Sequence, residues 1–169
     1  EPRVAVVFEV HGEAGGSEDE RWSVPVVVRH DGHGGDAQRV LLDGDSTAVA
    51  IDGGAPGWVN ANAGAHGFYR VRYTGALLGG LLDHLSALSP LERYTVVDDA
   101  WAAVLSGSIT AADFVALVER YGDERDLSVW ERITGGLSIL DRLADGDARD
   151  ALHGRIAALV GPVRAELGA

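Results

Sequence analysis

Hydrophobic and polar positions change their period once along this chain. From Arg3 to Thr74 apolar residues recur about every second position, in the runs Val4 to Val10, Trp22 to His30, Arg39 to Leu42, Thr47 to Ile51 and Gly67 to Thr74. The stretches between them (Gly12 to Glu20, Asp31 to Asp36, Asp43 to Asp45, Gly53 to Gly57) are rich in Gly, Asp, Ser and Pro. Alternation with turn punctuation predicts strands, and short strands at this spacing predict an antiparallel β-sandwich.

After Thr74 the period becomes 3.6. Leu77, Leu78, Leu81, Leu82 and Leu85 share one helical face, and Ser89, Pro90 and Glu92 then read as a capping box opening a second helix. Its apolar stripe is Leu91, Tyr94, Val97, Trp101, Val104 and Leu105, ended by Gly107. Thr110 caps a third helix burying Phe114, Leu117, Val118 and Tyr121 and stopped by Gly122. Asp126 opens a fourth through Trp130, Ile133, Leu137 and Leu140; Asp147 opens a fifth through Leu152, Ile156, Leu159 and Val163, kinked near Pro162. The expected fold is α+β in two parts: an antiparallel β-sandwich over residues 1–75, then an α-helical array of antiparallel helices over 76–169.

Charge narrows the partners. The net charge of -12 repels phosphate backbones and anionic lipid, which speaks against nucleic-acid and membrane-surface roles. All 14 basic residues are Arg, a bias associated with GC-rich bacterial genomes, and no Cys or signal peptide points to an oxidising compartment, so the expected location is the bacterial cytoplasm. The chain has no Met, which suggests a piece cut from something longer.

No catalytic constellation assembles from the residue types. A helical zinc site needs two His at i and i+4, and none of the six His has that spacing. The loop residues His30, Asp31, His33 and Asp36 could hold a metal weakly, but turn roles are favoured. No G-x-S-x-G elbow exposes a Ser nucleophile, and Gly12, Gly15 and Gly16 lead into acidic residues rather than a phosphate-binding helix. Asp98 and Asp99 diverge by about 100° on a helix. With the stripe centred on Trp101, Asp98 falls about 60° away and needs a partner, whereas Asp99 points to the far side. A structural ion pair is favoured over catalysis, with Arg70 as first choice and Arg72 as second, fixing the β half against the second helix. In the densest motif, Trp58 to Tyr73, a strand would put Tyr69, Val71 and Tyr73 in the sandwich core and Phe68, Arg70 and Arg72 on a face suited to another domain.

Several stretches carry a family likeness: Trp22-Ser-Val-Pro25; Trp58-Val-Asn60 with Gly67-Phe-Tyr-Arg-Val-Arg-Tyr73; Leu88-Ser-Pro-Leu-Glu-Arg93 leading to Asp98-Asp-Ala-Trp101; and Asp123-Glu-Arg-Asp126 with Trp130. In order and spacing they resemble the aminopeptidase N-like zinc metallopeptidases. The resemblance covers that family's small sandwich domain and the start of its longer C-terminal helical domain. The family's GxMEN and HExxH motifs lie in its catalytic domain, and neither occurs here. The likeness therefore implies a noncatalytic portion, inactive alone, whose parent removes N-terminal residues from peptides. Zinc is expected in the absent catalytic domain, with no cofactor in this chain. Its expected partner is that catalytic domain, with peptide substrates in the parent and self-association of exposed edges. Asn62, Phe68, Arg70, Arg72, Asp98 and Trp101 carry structural or interdomain roles only, and Thr74 stands where the motif usually has an acidic residue. The alternative is a free-standing protein-interaction module.

Overall fold

The computed structural model describes residues 4–9, 23–33, 36–51 and 55–168, the side chains of 4–9 and of His33 excepted. Expectations for Val10, the acidic Gly12 to Glu20 stretch, Trp22 and Gly53 lie outside the described residues. The fold is α+β in two compact units, residues 1–69 with 73–81 and residues 70–72 with 82–169.

Among the described residues the first unit holds five short strands: β1 (Val4–Glu9), β2 (Val24–His30), β3 (Gln38–Leu42), β4 (Ser46–Ile51) and β5 (Val59–Asn60). They form two antiparallel sheets, β1–β4 with Val4 opposite Ile51, and β3–β2–β5 with Val24 opposite Leu42 and His30 opposite Val59. In β2 burial alternates, with Val26, Val28 and His30 inward and Pro25 outward, as a strand with one covered face requires. Val26, Val28 and Leu42 share a core with Val49, Ile51 and Val59, and Val24, Val40, Tyr69 and Leu77 pack on it. Leu77 comes from α1 (Gly75–Asp83). That helix approaches the loop before β5 so closely that a Cβ on Gly80 would sit 2.1 Å from the carbonyl oxygen of Gly57.

The run Gly67 to Thr74 is not a strand, which corrects the sequence expectation, and the pairing strand is β5 instead. Side-chain exposure still alternates from Phe68 to Thr74. Part of its backbone is committed elsewhere: the Gly67 N–H and carbonyl bond the Asn62 side chain and the Val71 N–H donates to the Asp99 carboxylate, while the Tyr69 and Tyr73 side-chain hydroxyls bond the backbone of Ala61. Alternation reports an extended chain, and a ladder also needs free backbone groups.

The second unit contains α2 (Pro90–Leu105), α3 (Ala111–Val118), α4 (Leu127–Leu143) and α5 (Gly146–Glu166). α2 packs on α3 and α4, and α4 on α5. Capping chemistry sets the starts. Ser89 with Glu92 and Thr110 with Asp113 are complete capping boxes, and Asp126 accepts from the N–H groups of Ser128 and Val129. The fifth helix begins one residue before Asp147 and runs through Pro162 to Glu166. Phe114, Leu117, Val118, Tyr121, Ile133, Leu137, Leu140, Leu152 and Leu159 are buried as expected. Among the described residues, no helix is long and apolar enough to cross a membrane.

The buried face of α2 is the second correction. Leu91 and Leu105, assigned to its stripe, are exposed, while Glu92, Val96, Val97, Asp99, Ala100 and Trp101 are buried. The face centres on Ala100 rather than Trp101, a rotation of about 100°. It follows that Asp99, expected outside, is inside.

Two adjacent glycines on α4 show how tightly this core closes. A Cβ on Gly136 would lie 2.7 Å from Cζ of Phe114 and 3.1 Å from Cε3 of Trp101, whereas on Gly135 its nearest neighbour would be an Arg132 nitrogen at 3.9 Å. Both substitutions to Ala gain about 1 kcal/mol of helix propensity. Only Gly136→Ala must also push two buried rings apart, at a typical overpacking cost of about 1–3 kcal/mol. Denaturant unfolding should therefore find Gly135→Ala more stable than the unsubstituted chain by about 1 kcal/mol, and Gly136→Ala less stable than Gly135→Ala by about 1–3 kcal/mol.

Candidate functional site

Arg93 lies on the covered side of α2, its side chain 19% exposed, and a guanidinium there must be compensated. Glu124 supplies the compensation from the turn before α4. Arg93 Nε donates to one carboxylate oxygen at 2.6 Å and Nη2 to the other at 2.9 Å, a bidentate fork. Nη1 donates to the Leu88 carbonyl at 2.7 Å. Glu124, with 1% of its side chain exposed, also accepts from the N–H groups of Arg125 and Asp126, each at 2.8 Å. Burial would raise the Glu124 pKa, but its bonds to Arg93, Asp126 and Arg125 outweigh that and hold it below the ordinary value. Tyr121 donates to the Arg93 carbonyl and Trp130 Nε1 to the Glu124 carbonyl, so the surrounding backbone is tied to the same pair.

A second charged cluster joins residues 70–72 to α2 and α4 within the helical unit. Arg70 Nη1 donates to Asp98 and, at 3.1 Å, to Asp99. Arg132 Nε donates to the other Asp98 oxygen at 2.7 Å, and the Val71 N–H donates to Asp99 at 3.2 Å. The Arg132 guanidinium lies 5.8 Å from the Trp101 ring centroid, and that ring meets Phe114 edge to face at 5.1 Å. The two carboxylates titrate in opposite directions. For Asp98 burial is outweighed by the hydrogen bonds from Arg70 and Arg132, which lower its pKa. For Asp99 burial dominates over Arg70 and Val71 and pushes it up to about 6.

The β unit has a neutral counterpart. Asn62 accepts from the Gly67 N–H at 2.8 Å and donates to the Gly67 carbonyl at 3.2 Å, closing a loop in which Gly64 and Ala65 take positive φ of 73° and 55°. Tyr69 donates to the Ala61 carbonyl at 2.7 Å, and the Ala61 N–H donates to the Tyr73 hydroxyl at 2.9 Å.

Of the residues singled out from sequence, Asp98 meets its first-choice partner Arg70, and Arg72 is exposed and not part of the cluster. Trp101 is buried, Asn62 closes its loop, and Phe68 is fully exposed. Arg93, Glu124, Arg132 and Asp99 were missed. The first could have been found as a cation on the buried arc of α2, and Glu124 as an acid just ahead of a helix cap.

Around His30 the described side chains are taken up by neighbours within the fold. His30 is buried with Nδ1 accepting from the Gly32 N–H and Nε2 facing the Gln38 amide, and Asp31 accepts from the Gly57 N–H through both oxygens. The described donors of His30 and Asp31 thus meet the Gly32 and Gly57 backbone and the Gln38 side chain, and among the described residues no group of three His, Asp or Glu could hold a metal.

Comparison with known proteins gives these networks their setting. Residues 58–169 match the profile of the ERAP1-like C-terminal domain, and the chain belongs to that family. It is 32% identical over 144 residues to the puromycin-sensitive aminopeptidase of Caenorhabditis elegans, spanning 81% of this chain and 15% of that protein. To aminopeptidase M1-B of Oryza sativa subsp. japonica it is 29% identical over 136 residues, 73% of this chain and 15% of the relative. To tricorn protease-interacting factor F2 of Thermoplasma acidophilum it is 30% identical over 80 residues, 47% of this chain and 10% of the relative. The chain spans at most about 15% of these relatives' length. Its likeness is to an aminopeptidase N-like C-terminal region.

Replacing Asp98 by Ala leaves Arg132, 16% exposed, without its carboxylate. Since hydrogen bonds to charged groups contribute about 1.5–3 kcal/mol, urea unfolding at pH 7 should show a loss of that order. The sign with pH follows from the lowered pKa: the Asp98 contribution is complete above the ordinary Asp value of about 3.9 and fades as pH falls through the lower folded value. The gap between parent and Asp98→Ala should accordingly narrow in acid.

Proposed function

We propose that this chain is a noncatalytic C-terminal portion of an M1-type zinc aminopeptidase, whose catalytic region removes N-terminal residues from peptides. The match of residues 58–169 to the ERAP1-like C-terminal domain carries this reading. Two of the carboxylates support it, since internal partners hold them ionised: Glu124 accepts from Arg93 and from two backbone N–H groups, and Asp98 accepts from two guanidiniums. Such carboxylates hold helices in place and have no proton to exchange with a substrate at neutral pH.

On this reading the β unit is a sandwich, supported by a core that draws Val26, Val28 and Leu42 from one sheet and Val49 and Ile51 from the other. The helical unit helps to bound the peptide chamber, and the catalytic domain of the same polypeptide is its partner. Asn62, Phe68, Arg70, Asp98 and Trp101 act structurally. Phe68, fully exposed after a loop closed by Asn62, is the side chain best placed to meet another domain.

Two assays decide the matter. The purified chain, dialysed, should contain far less than one zinc per molecule and leave aminoacyl 4-nitroanilides uncleaved, since it has no source of activated water. The product of the whole reading frame encoding this segment should cleave them and lose activity when residues 58–169 are deleted. Turnover by the isolated chain with one tightly held zinc, or a full-length product with no peptidase activity, would overturn the proposal.

A further inference from the structure

We infer that Asp43, in the connection between β3 and β4, is a site of spontaneous backbone isomerisation to isoaspartate, and that the fold withholds the same reaction from Asp31. Each of the two precedes a glycine. In such a pair the glycine backbone nitrogen attacks Cγ of the aspartic acid, and the carboxyl hydroxyl leaves as water with the amide proton. Water then opens the resulting five-membered succinimide at either carbonyl, returning aspartate or leaving the main chain routed through the side-chain carbonyl. One water is released and one consumed, so the step needs neither an enzyme nor an oxidant.

Its requirements are geometric. The carboxyl must be free to turn, the amide free of hydrogen bonds, and the main chain able to rotate until nitrogen and Cγ meet. Glycine helps because no Cβ crowds its nitrogen and its backbone is the least restricted. Asp43–Gly44 meets these conditions. Asp43 is exposed, and among the described residues neither its carboxylate nor the Gly44 N–H has a hydrogen-bond partner. The pair lies outside any strand or helix, and a Cβ built on Gly44 would meet nothing within 4 Å, so the chain has room to move.

Asp31–Gly32 has the same two residues in the opposite setting. The Gly57 N–H donates to both Asp31 oxygens, at 2.9 and 3.1 Å, and the Gly32 N–H donates to Nδ1 of the buried His30 at 3.0 Å. Electrophile and nucleophile are thus held separately, and both must be released before the ring can close. Breaking a hydrogen bond to a charged group is enough to slow the reaction about tenfold or more. Asp145–Gly146, at the start of α5, stands between the two: the Asp145 carboxylate caps no N–H, but its carbonyl accepts from the Arg149 N–H at 3.2 Å. Isoaspartate at position 43 adds one carbon to the main chain where it passes from the sheet of β3 to the sheet of β4.

Ageing the whole chain at mildly acidic pH and physiological temperature, followed by peptide mapping, tests this. Cleavage after Arg puts Asp31 and Asp43 in different peptides, His30–Arg39 and Val40–Arg70. Electron-transfer fragmentation then locates isoaspartate, which breaks at its Cα–Cβ bond. The expected result is isoaspartate forming at Asp43, with Asp31 about tenfold slower or more, and rates that converge when the chain is aged unfolded in guanidinium chloride. Gly44→Ala, for which the surroundings have space, should slow Asp43 severalfold. Equal rates at Asp31 and Asp43 in the folded chain, no isoaspartate at Asp43, an unaltered ratio in the unfolded chain, or an unchanged Asp43 rate in Gly44→Ala would each overturn the inference.

Discussion

A guanidinium placed inside a helical core must find a carboxylate, and the helical unit is organised around meeting that demand at Arg93. Desolvating one charge without the other would cost several kcal/mol. The pairing with Glu124 therefore constrains more than two side chains. Arg93 also binds the Leu88 carbonyl just before α2, and Glu124 receives the N–H groups that lead into α4. Tyr121, at the end of the segment following α3, closes on the Arg93 carbonyl, and Trp130 on that of Glu124. One ion pair thus fixes how α2 begins, how the chain leaves α3 and how α4 starts.

The β unit meets the same requirement without charge. Its loop from Asn60 to Gly67 is largely buried, so its backbone donors and acceptors need partners. Asn62 supplies both a donor and an acceptor to Gly67, and two tyrosine hydroxyls serve the two sides of Ala61. Neutral amides and phenols suffice because the groups they satisfy are neutral. In both units polar side chains specify where backbone turns, while apolar burial supplies the bulk of the driving force.

Local chemistry was legible in the sequence where it is self-contained. The capping boxes at Ser89 and Thr110 need only residues three apart, and both form. Legibility failed where a position depends on a distant partner. α2 carries apolar residues around much of its circumference, so Leu91 and Leu105 drew the inferred stripe toward the exposed side and left Asp99 outside. What decides its rotation is the packing of α3 and α4. The same limit applies to Gly67 to Thr74, where alternation is real but Val71 spends its N–H on a carboxylate 28 positions away. Asp98 and Arg70 could be paired in advance because both side chains announced a need. Glu124, in a polar turn, announced none.

The central claim is that Arg93 and Glu124 act as a unit that organises the helices. A double-mutant cycle on stability tests it most directly, with Arg93→Met, Glu124→Gln and the double variant unfolded in urea at pH 7. Each single change should cost about 3–5 kcal/mol, because it strands the other group. The double variant should cost markedly less than their sum, with a coupling of about 2 kcal/mol or more. Single costs that simply add, to within about 0.5 kcal/mol, would contradict the account and reduce the pair to two independent side chains.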